Sequence, residues 1–312
     1  MTYPRSHLID PDGGTYHVCS RCVRRALLFG TDNVTGKDFS HRRDWIEKRI
    51  LELSDIFTVS VYAYAVMSNH YHIVLRMDST RLSDEEVADR WLKLCPGRQV
   101  DRRATDVQLA RRGALLNNEL RLEEVRSRLS SLSWFMRFIN EPLARLANKE
   151  DHCKGRFWEG RFKSQALLDE ASVLACMVYV DLNPVRAKIA DDIEDSEFTS
   201  IKQRCKKQVT DEPIQALNES CANKPAFAET TLGEYIELVR WTAARQSHMR
   251  RGIQLKVSHC LKNNHTDMDH WFSDHLPVSQ TWQRAMGSAE SLAEYAKSIQ
   301  QCWIRRRPGL SR

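Results

Sequence analysis

The sequence predicts an α+β fold, and three observations carry that reading. Short segments rich in β-branched and aromatic residues recur at Thr15 to Val23, Phe57 to Met67, His72 to Met77 and Phe162 to Leu168, and read as strands. Between and after them run longer segments whose apolar residues fall at helical spacing. Two of the strands meet across the tight Ser68-Asn69 turn, which makes them a hairpin-like pair.

Composition narrows the class further. With 42% apolar and 28% charged residues, the 312-residue chain is that of a folded globular protein able to bury one sizeable core or two smaller ones. No apolar run approaches the ~20 residues of a membrane span, and Met1 to Asp10 lacks the apolar centre of a signal peptide. A cytoplasmic protein with no membrane role is therefore expected. Nine cysteines, an odd number, argue for reduced thiols rather than a disulfide framework. The net charge of +6 is carried by clusters such as Arg24-Arg25, Arg42-Arg43, Arg102-Arg103, Arg111-Arg112 and Arg305-Arg306-Arg307. Guanidinium forks suit phosphate oxygens, although solvated helix faces carry such pairs too.

Taken in order, Gly13-Gly14 marks a turn before the first strand, which ends among Arg21, Arg24 and Arg25. Cys19 and Cys22 lie on that strand with no second CxxC, and an i, i+3 spacing sends their thiols to opposite faces, which argues against zinc. A helix is expected from Ser40, as cap, to Asp55, with Trp45, Ile46, Ile50, Leu51 and Leu53 as its apolar stripe. Ser83 to Glu86 opens another, stopped by Pro96-Gly97. Residues from about 95 to 118 are polar and arginine-rich and read as a surface insertion. A long helix is expected from Leu120 to about Leu146, kinked or divided at Pro142. Asp169 caps a further apolar helix ending near Leu182. Residues 1 to 200 are thus expected to form one domain. Residues 201 to 312 form a mainly helical extension, with helical patterns at Leu232 to Ala244, Leu255 to Leu261 and Ala289 to Trp303. His259, His265, His270 and His275 in that extension match no metal-binding spacing.

Three stretches carry chemistry. His70 and His72 flank Tyr71 at the start of an apolar run, and on a strand both imidazoles face one side. Imidazole suits several divalent metals, yet two nitrogens fill only part of a coordination sphere, and two ordinary strand-edge histidines would look the same. From Lys154 to Gln165, basic residues alternate with aromatics, which suits either phosphate contacts with base stacking or a buried aromatic loop fringed by charge. Tyr179 and Asn183 are four apart near a helix end, a phenol able to attack beside an amide oxygen able to ligate. Pro184 pulls Asn183 away from helical dihedrals, so their shared face is approximate.

Gly14 to Arg24, then SNHYH (Ser68 to His72), GRFWEGRFKSQ (Gly155 to Gln165) and YVDLNPVRA (Tyr179 to Ala187), in this order, resemble the REP-associated tyrosine transposases of the HUH superfamily. The resemblance spans about residues 5 to 200 and lies in the ordered set. It implies a ferredoxin-like core with a central antiparallel sheet and packed helices. It also implies metal-assisted cleavage and rejoining of single-stranded DNA at hairpin-forming palindromic repeats. Carried over, His70 and His72 match the metal pair, Tyr179 the nucleophile, and Asn183 a third polar ligand, where relatives often place glutamine.

A phenol with a pKa near 10 is a weak nucleophile at neutral pH unless the phosphate is made more electrophilic. Mixed nitrogen and oxygen ligation with phosphate suits Mg2+ or Mn2+. Arg21, Arg24, Arg156, Arg161, Lys163 and Arg186 are the candidate backbone contacts, with Trp158 and Phe157 for stacking on bases. Two other readings stand beside this one: a metal-dependent hydrolytic nuclease, and a hairpin-binding protein that has lost catalysis. The sequence does not choose between a monomer and a homodimer.

Overall fold

The computed structural model describes residues 9–10, 13–23, 27–32, 36–78, 81–97, 104–206, 213–217, 230–246, 261 and 282–304. Its centre is a five-stranded sheet in the order β2-β3-β1-β4-β5. The strands are β1 (Gly14–Arg21), β2 (Val59–Val66), β3 (His70–Met77), β4 (Lys163–Leu167) and β5 (Ala285–Met286). β1 pairs antiparallel with β3 and with β4, and β2 antiparallel with β3; the two-residue β5 alone runs parallel to its neighbour, β4. For the first four strands, chain order and sheet order together give the split βαβ arrangement of a ferredoxin-like core, so the α+β expectation holds.

Alternation along the strands sorts residues onto two faces. On one face Tyr16, Val18, Tyr71, Ile73 and Leu75 join a core with Ile46, Ile50 and Leu53 of α1 (Ser40–Ile56) and Phe135, Met136 and Ile139 of α5 (Leu132–Glu150). On the other, Ala63, Ala65, Val74 and Leu167 pack under α6 (Glu170–Asp181), with α8 (Ser200–Lys206) and α9 (Leu232–Gln246) contributing Ile201, Tyr235 and Leu238. Every residue of α6 from Ser172 to Asp181 is buried, as befits a helix apolar all round. A bulge between Val61 and Ala63 lets Tyr62 and Ala63 both reach this second core.

The helices follow their signals with three instructive departures. Ser83 and Glu86 form a reciprocal capping box at α2 (Asp84–Leu94), as the SDEE run predicts. Ser40 does not cap α1: Asp38 does the accepting, from Ser40 N at 3.0 Å and Ser40 Oγ at 2.6 Å. The arginine-rich stretch contains a helix, α3 (Ala104–Leu116), which buries Leu115 and leaves Val107 and Leu109 exposed.

The expected long helix is two. α4 (Glu119–Leu129) and α5 are separated at Ser130-Ser131, where Ser131 is extended, while Pro142 stays inside α5. Proline removes the bond to the carbonyl four residues back, and that carbonyl, of Phe138, instead accepts from Arg49 Nε at 3.3 Å. The break thus falls where two serines weaken the helix and the proline is compensated.

Beyond residue 200 the described chain is built onto the same sheet. β5 extends it, and α10 (Ala289–Ser298) places Leu292 and Tyr295 in the α1/α5 core. Leu255 to Leu261 lies outside the described residues apart from Leu261. No helix among the described residues is long and apolar enough to cross a membrane.

Candidate functional site

The Ser68-Asn69 turn is held from outside the hairpin. Cys22 N donates to Asn69 O at 2.8 Å and Leu28 N to Ser68 O at 2.7 Å, while Met67 N closes the turn on His70 O at 2.8 Å. His70 is thereby the first residue of β3. Its Nδ1 lies 2.7 Å from Asn69 Oδ1. His72 follows on the same face, with the two rings edge to face and their centroids 4.9 Å apart.

Register then adds a residue that spacing alone does not show. Arg21 pairs with His70 and Cys19 with His72, so His17, two residues further along β1, lies diagonal to His72 on the same face. His17 Nε2 is 2.9 Å from His72 Nδ1. Across β1 on the other side, Gln165 of β4 pairs with His17 and brings Oε1 to 3.5 Å from its Nδ1. Trp282, just before β5, lays its indole beside His17 with centroids 4.8 Å apart, and its N–H donates to Ser164 O at 3.3 Å.

α6 brings Tyr179 over this row. Asp169 fixes the start of the helix by accepting from Ser172 N at 2.8 Å. Its last residue, Asp181, is fully buried and accepts from Ser200 Oγ, Ile201 N and Tyr235 Oη, with Arg204 Nη1 at 3.8 Å. So pinned at both ends, α6 sets the Tyr179 ring edge-on to His72 and His17, at centroid distances of 5.8 and 6.0 Å. Asn183 opens the short α7 (Asn183–Arg186) after a single intervening residue. It lies close enough to Tyr179 to act on the phenol, and its Nδ2 is buried with no hydrogen-bond partner among the described residues. The Arg186 guanidinium stands 5.2 Å from the Tyr179 ring centre.

Burial sets the protonation states. It pushes His17 down to about 4 and, together with the positive charge of Arg21, His70 down to about 4. His72 is held well below the usual histidine range by burial and by its two histidine neighbours. All three imidazoles are thus neutral at physiological pH, the form that ligates metals. Burial raises the Tyr179 phenol, against the lowering effects of Asn183 and Arg186. Cys19, facing the same side, is pushed up to about 12 by burial and is a poor thiolate. Cys22 lies in the opposite core, as the i, i+3 argument requires.

The residues present fit a divalent cation on chemical grounds. His70 and His72 each spend Nδ1 on a neighbour, leaving Nε2 for a ligand, and Asn183, beside Tyr179, carries an amide oxygen of the kind that ligates hard cations. Among the described residues no three His, Cys, Asp or Glu side chains are grouped to hold a metal. A cation held here would take two imidazoles and an amide oxygen from the chain, and its other ligands from water or phosphate.

The basic residues divide. Arg21 opposite His70, Lys163 opposite Cys19, and Arg186 over Tyr179 are all exposed. Arg156 and Arg161 are exposed on the loop before β4. Arg24 lies outside the described residues. Trp158 goes elsewhere: its indole N–H donates to Asn140 O at 2.9 Å, and its ring packs edge-on against Tyr71 and Phe157. Phe157 is only 4% exposed. Both rings are committed to the α1/α5 core, so of the two forms this loop can take, the buried aromatic loop with peripheral charges describes it.

No protein-family model matches the chain, and no curated protein does. Among solved structures it is similar to one described as a REP-associated tyrosine transposase bound to a REP hairpin, at 13% identity and a TM-score of 0.39. The match covers 72% of this chain and 98% of that one. A likeness so distant fixes neither fold nor family.

Proposed function

We propose that this chain is a single-strand DNA endonuclease and strand transferase that uses Tyr179 as its nucleophile on hairpin-forming palindromic repeats. The observation that carries the proposal is the meeting of Tyr179 with the His70 and His72 pair, elements more than 100 residues apart in sequence that converge on one face of the sheet. The ordered motifs resembling REP-associated tyrosine transposases support it.

In this reading the Tyr179 oxygen attacks phosphorus and the bond to the 3′-oxygen breaks. The products are a 5′-phosphotyrosine and a strand ending in a 3′-hydroxyl, which takes up the phenol proton. Keeping the phosphodiester bond energy in the covalent link lets a 3′-hydroxyl reverse the step and rejoin DNA. A Mg2+ or Mn2+ ion held by His70, His72 and Asn183 would supply charge neutralisation at the phosphate oxygens. Arg186 holds positive charge beside the phenol and favours its anion as the proton leaves. Arg21 and Lys163 hold the strand by its phosphates. Asp181, the acid nearest the motif, is spent on Ser200, Ile201 and Tyr235, which counts against a hydrolytic nuclease built on a carboxylate.

The test is incubation with single-stranded hairpin DNA from the flanks of the gene, with Mn2+ or Mg2+, followed by denaturing electrophoresis. Wild type should form a protein-DNA adduct that Tyr179→Phe and His70→Ala both lose. Cleavage that persists in Tyr179→Phe would mean metal-activated water, and hairpin binding with no adduct in wild type would mean a catalytically silent binder.

A further inference from the structure

Behind the histidine pair lies a third imidazole that the reaction above does not use. His17 is fully buried, held at one edge by His72 and at the other by Gln165, with the Trp282 indole beside its ring. An uncharged imidazole carries one N–H, so a row of such rings can order its protons in only one of two directions. Here the row ends on an amide oxygen, Gln165 Oε1, which can only accept. With the His17 proton on Nδ1 donating to that oxygen, His17 Nε2 accepts from His72 Nδ1–H, and the lone pair of His72 is left on Nε2.

We infer that His17 is a positioning residue: it fixes the tautomer and the ring plane of His72, with Gln165 setting the direction of the relay. The inference rests on the proposed role of His70 and His72. In the opposite tautomer His72 would turn an N–H toward the cation and could not ligate it. The two histidines are thus supported differently, His70 by the turn amide of Asn69 and His72 by a buried ring on the neighbouring strand. Glutamine at position 17 can place an amide oxygen near where Nε2 lies, whereas phenylalanine fills the ring volume and accepts nothing.

The experiment uses the full chain, metal-free and with 15N-labelled histidine, and reads each ring's tautomer from long-range 1H–15N spectra. Mn2+ binding to the same samples is measured by calorimetry. In wild type His72 should carry its proton on Nδ1. In His17→Phe it should shift toward Nε2–H and bind Mn2+ roughly tenfold to a hundredfold more weakly, while His17→Gln should restore the tautomer and return affinity to within about threefold of wild type. A wild-type His72 protonated on Nε2 would overturn the inference. So would an unchanged tautomer in His17→Phe, or a His17→Gln variant that melts like wild type yet binds no better than His17→Phe. Should His17→Phe not fold, Gln165→Leu removes the accepting end of the relay and must shift the His72 tautomer. A wild type that takes up no Mn2+ would sink the metal reading instead, with the spectra still deciding this one.

Discussion

The two faces of the sheet are made from alternate residues of the same strands and have opposite characters. On β1 and β3, Tyr16, Val18, Tyr71, Ile73 and Leu75 enter a continuous apolar core, while His17, Cys19, His70 and His72 face α6. Even the polar groups of the first face are closed on one another: Tyr71 Oη donates to Asn140 Oδ1 at 2.7 Å, and Asn140 Nδ2 to Ser20 Oγ at 3.0 Å. On the second face, Asn183 Nδ2 has no hydrogen-bond partner among the described residues. One face spends its interactions on stability and the other keeps some unspent, which is the usual relation between a scaffold and a site.

Tyr71→Ala removes a fully buried ring and its link to Asn140, and should cost about 3–5 kcal/mol in urea unfolding. His70→Ala, only partly buried on the other face, should change stability by less than about 1 kcal/mol while abolishing the DNA adduct. Equal losses in the two variants would show that the faces do not divide the work.

Acid should act through the second face. His17 and His70 titrate at about 4 in the folded chain, below the histidine reference of about 6.5. Above about pH 6.5 both are neutral in either state and their share of stability is fully present. As pH falls toward 4 the unfolded chain takes up protons that the folded one excludes, so stability drops by up to about 1.4 kcal/mol per pH unit for each group. Urea unfolding of the metal-free protein at pH 7.5 and 5.5 measures this, and His17→Gln should flatten the slope by one proton. A smaller effect belongs to the start of α6. Asp169→Ala loses the cap on Ser172 N and the contact from Ser288 N at 2.8 Å, and should lower stability by about 1 kcal/mol without altering the His72 tautomer.

The strands, the Ser68-Asn69 turn, the capping box of α2 and the Asp169 cap were legible because each is written in neighbouring residues. What was not legible depends on partners distant in sequence. His17 sits in an ordinary β-forming run, and its meeting with His72 follows from the pairing of Cys19 with His72, which no local pattern encodes. The signal was there in part: His17 and Cys19 share a face by alternation, but which strand lies beside them is a fact of topology. Trp158 is a similar case, since Arg156, Arg161 and Lys163 stand near it in sequence while its ring packs on Tyr71, more than 80 residues away, and its N–H bonds Asn140 O. The α4/α5 break illustrates competition within a helix pattern. Pro142 is the stronger breaker in isolation, yet Arg49 satisfies the carbonyl it frees, and the extended Ser131 ends the run instead.

The strand order also decides how this protein avoids sticking to copies of itself. An open sheet has two rims of unpaired amides, each a template for another chain. Here β2 is sealed by Val66 N on Phe198 O, Tyr64 N on Ser200 Oγ and Leu217 N on Val61 O, and β4 by Ala166 N on Arg284 O and Leu168 N on Met286 O. All of those covering groups come from residues 198 to 286. A chain shortened to the first 197 residues would keep the histidines and the tyrosine but bare both rims, and it should gather into aggregates before its chemistry could be measured.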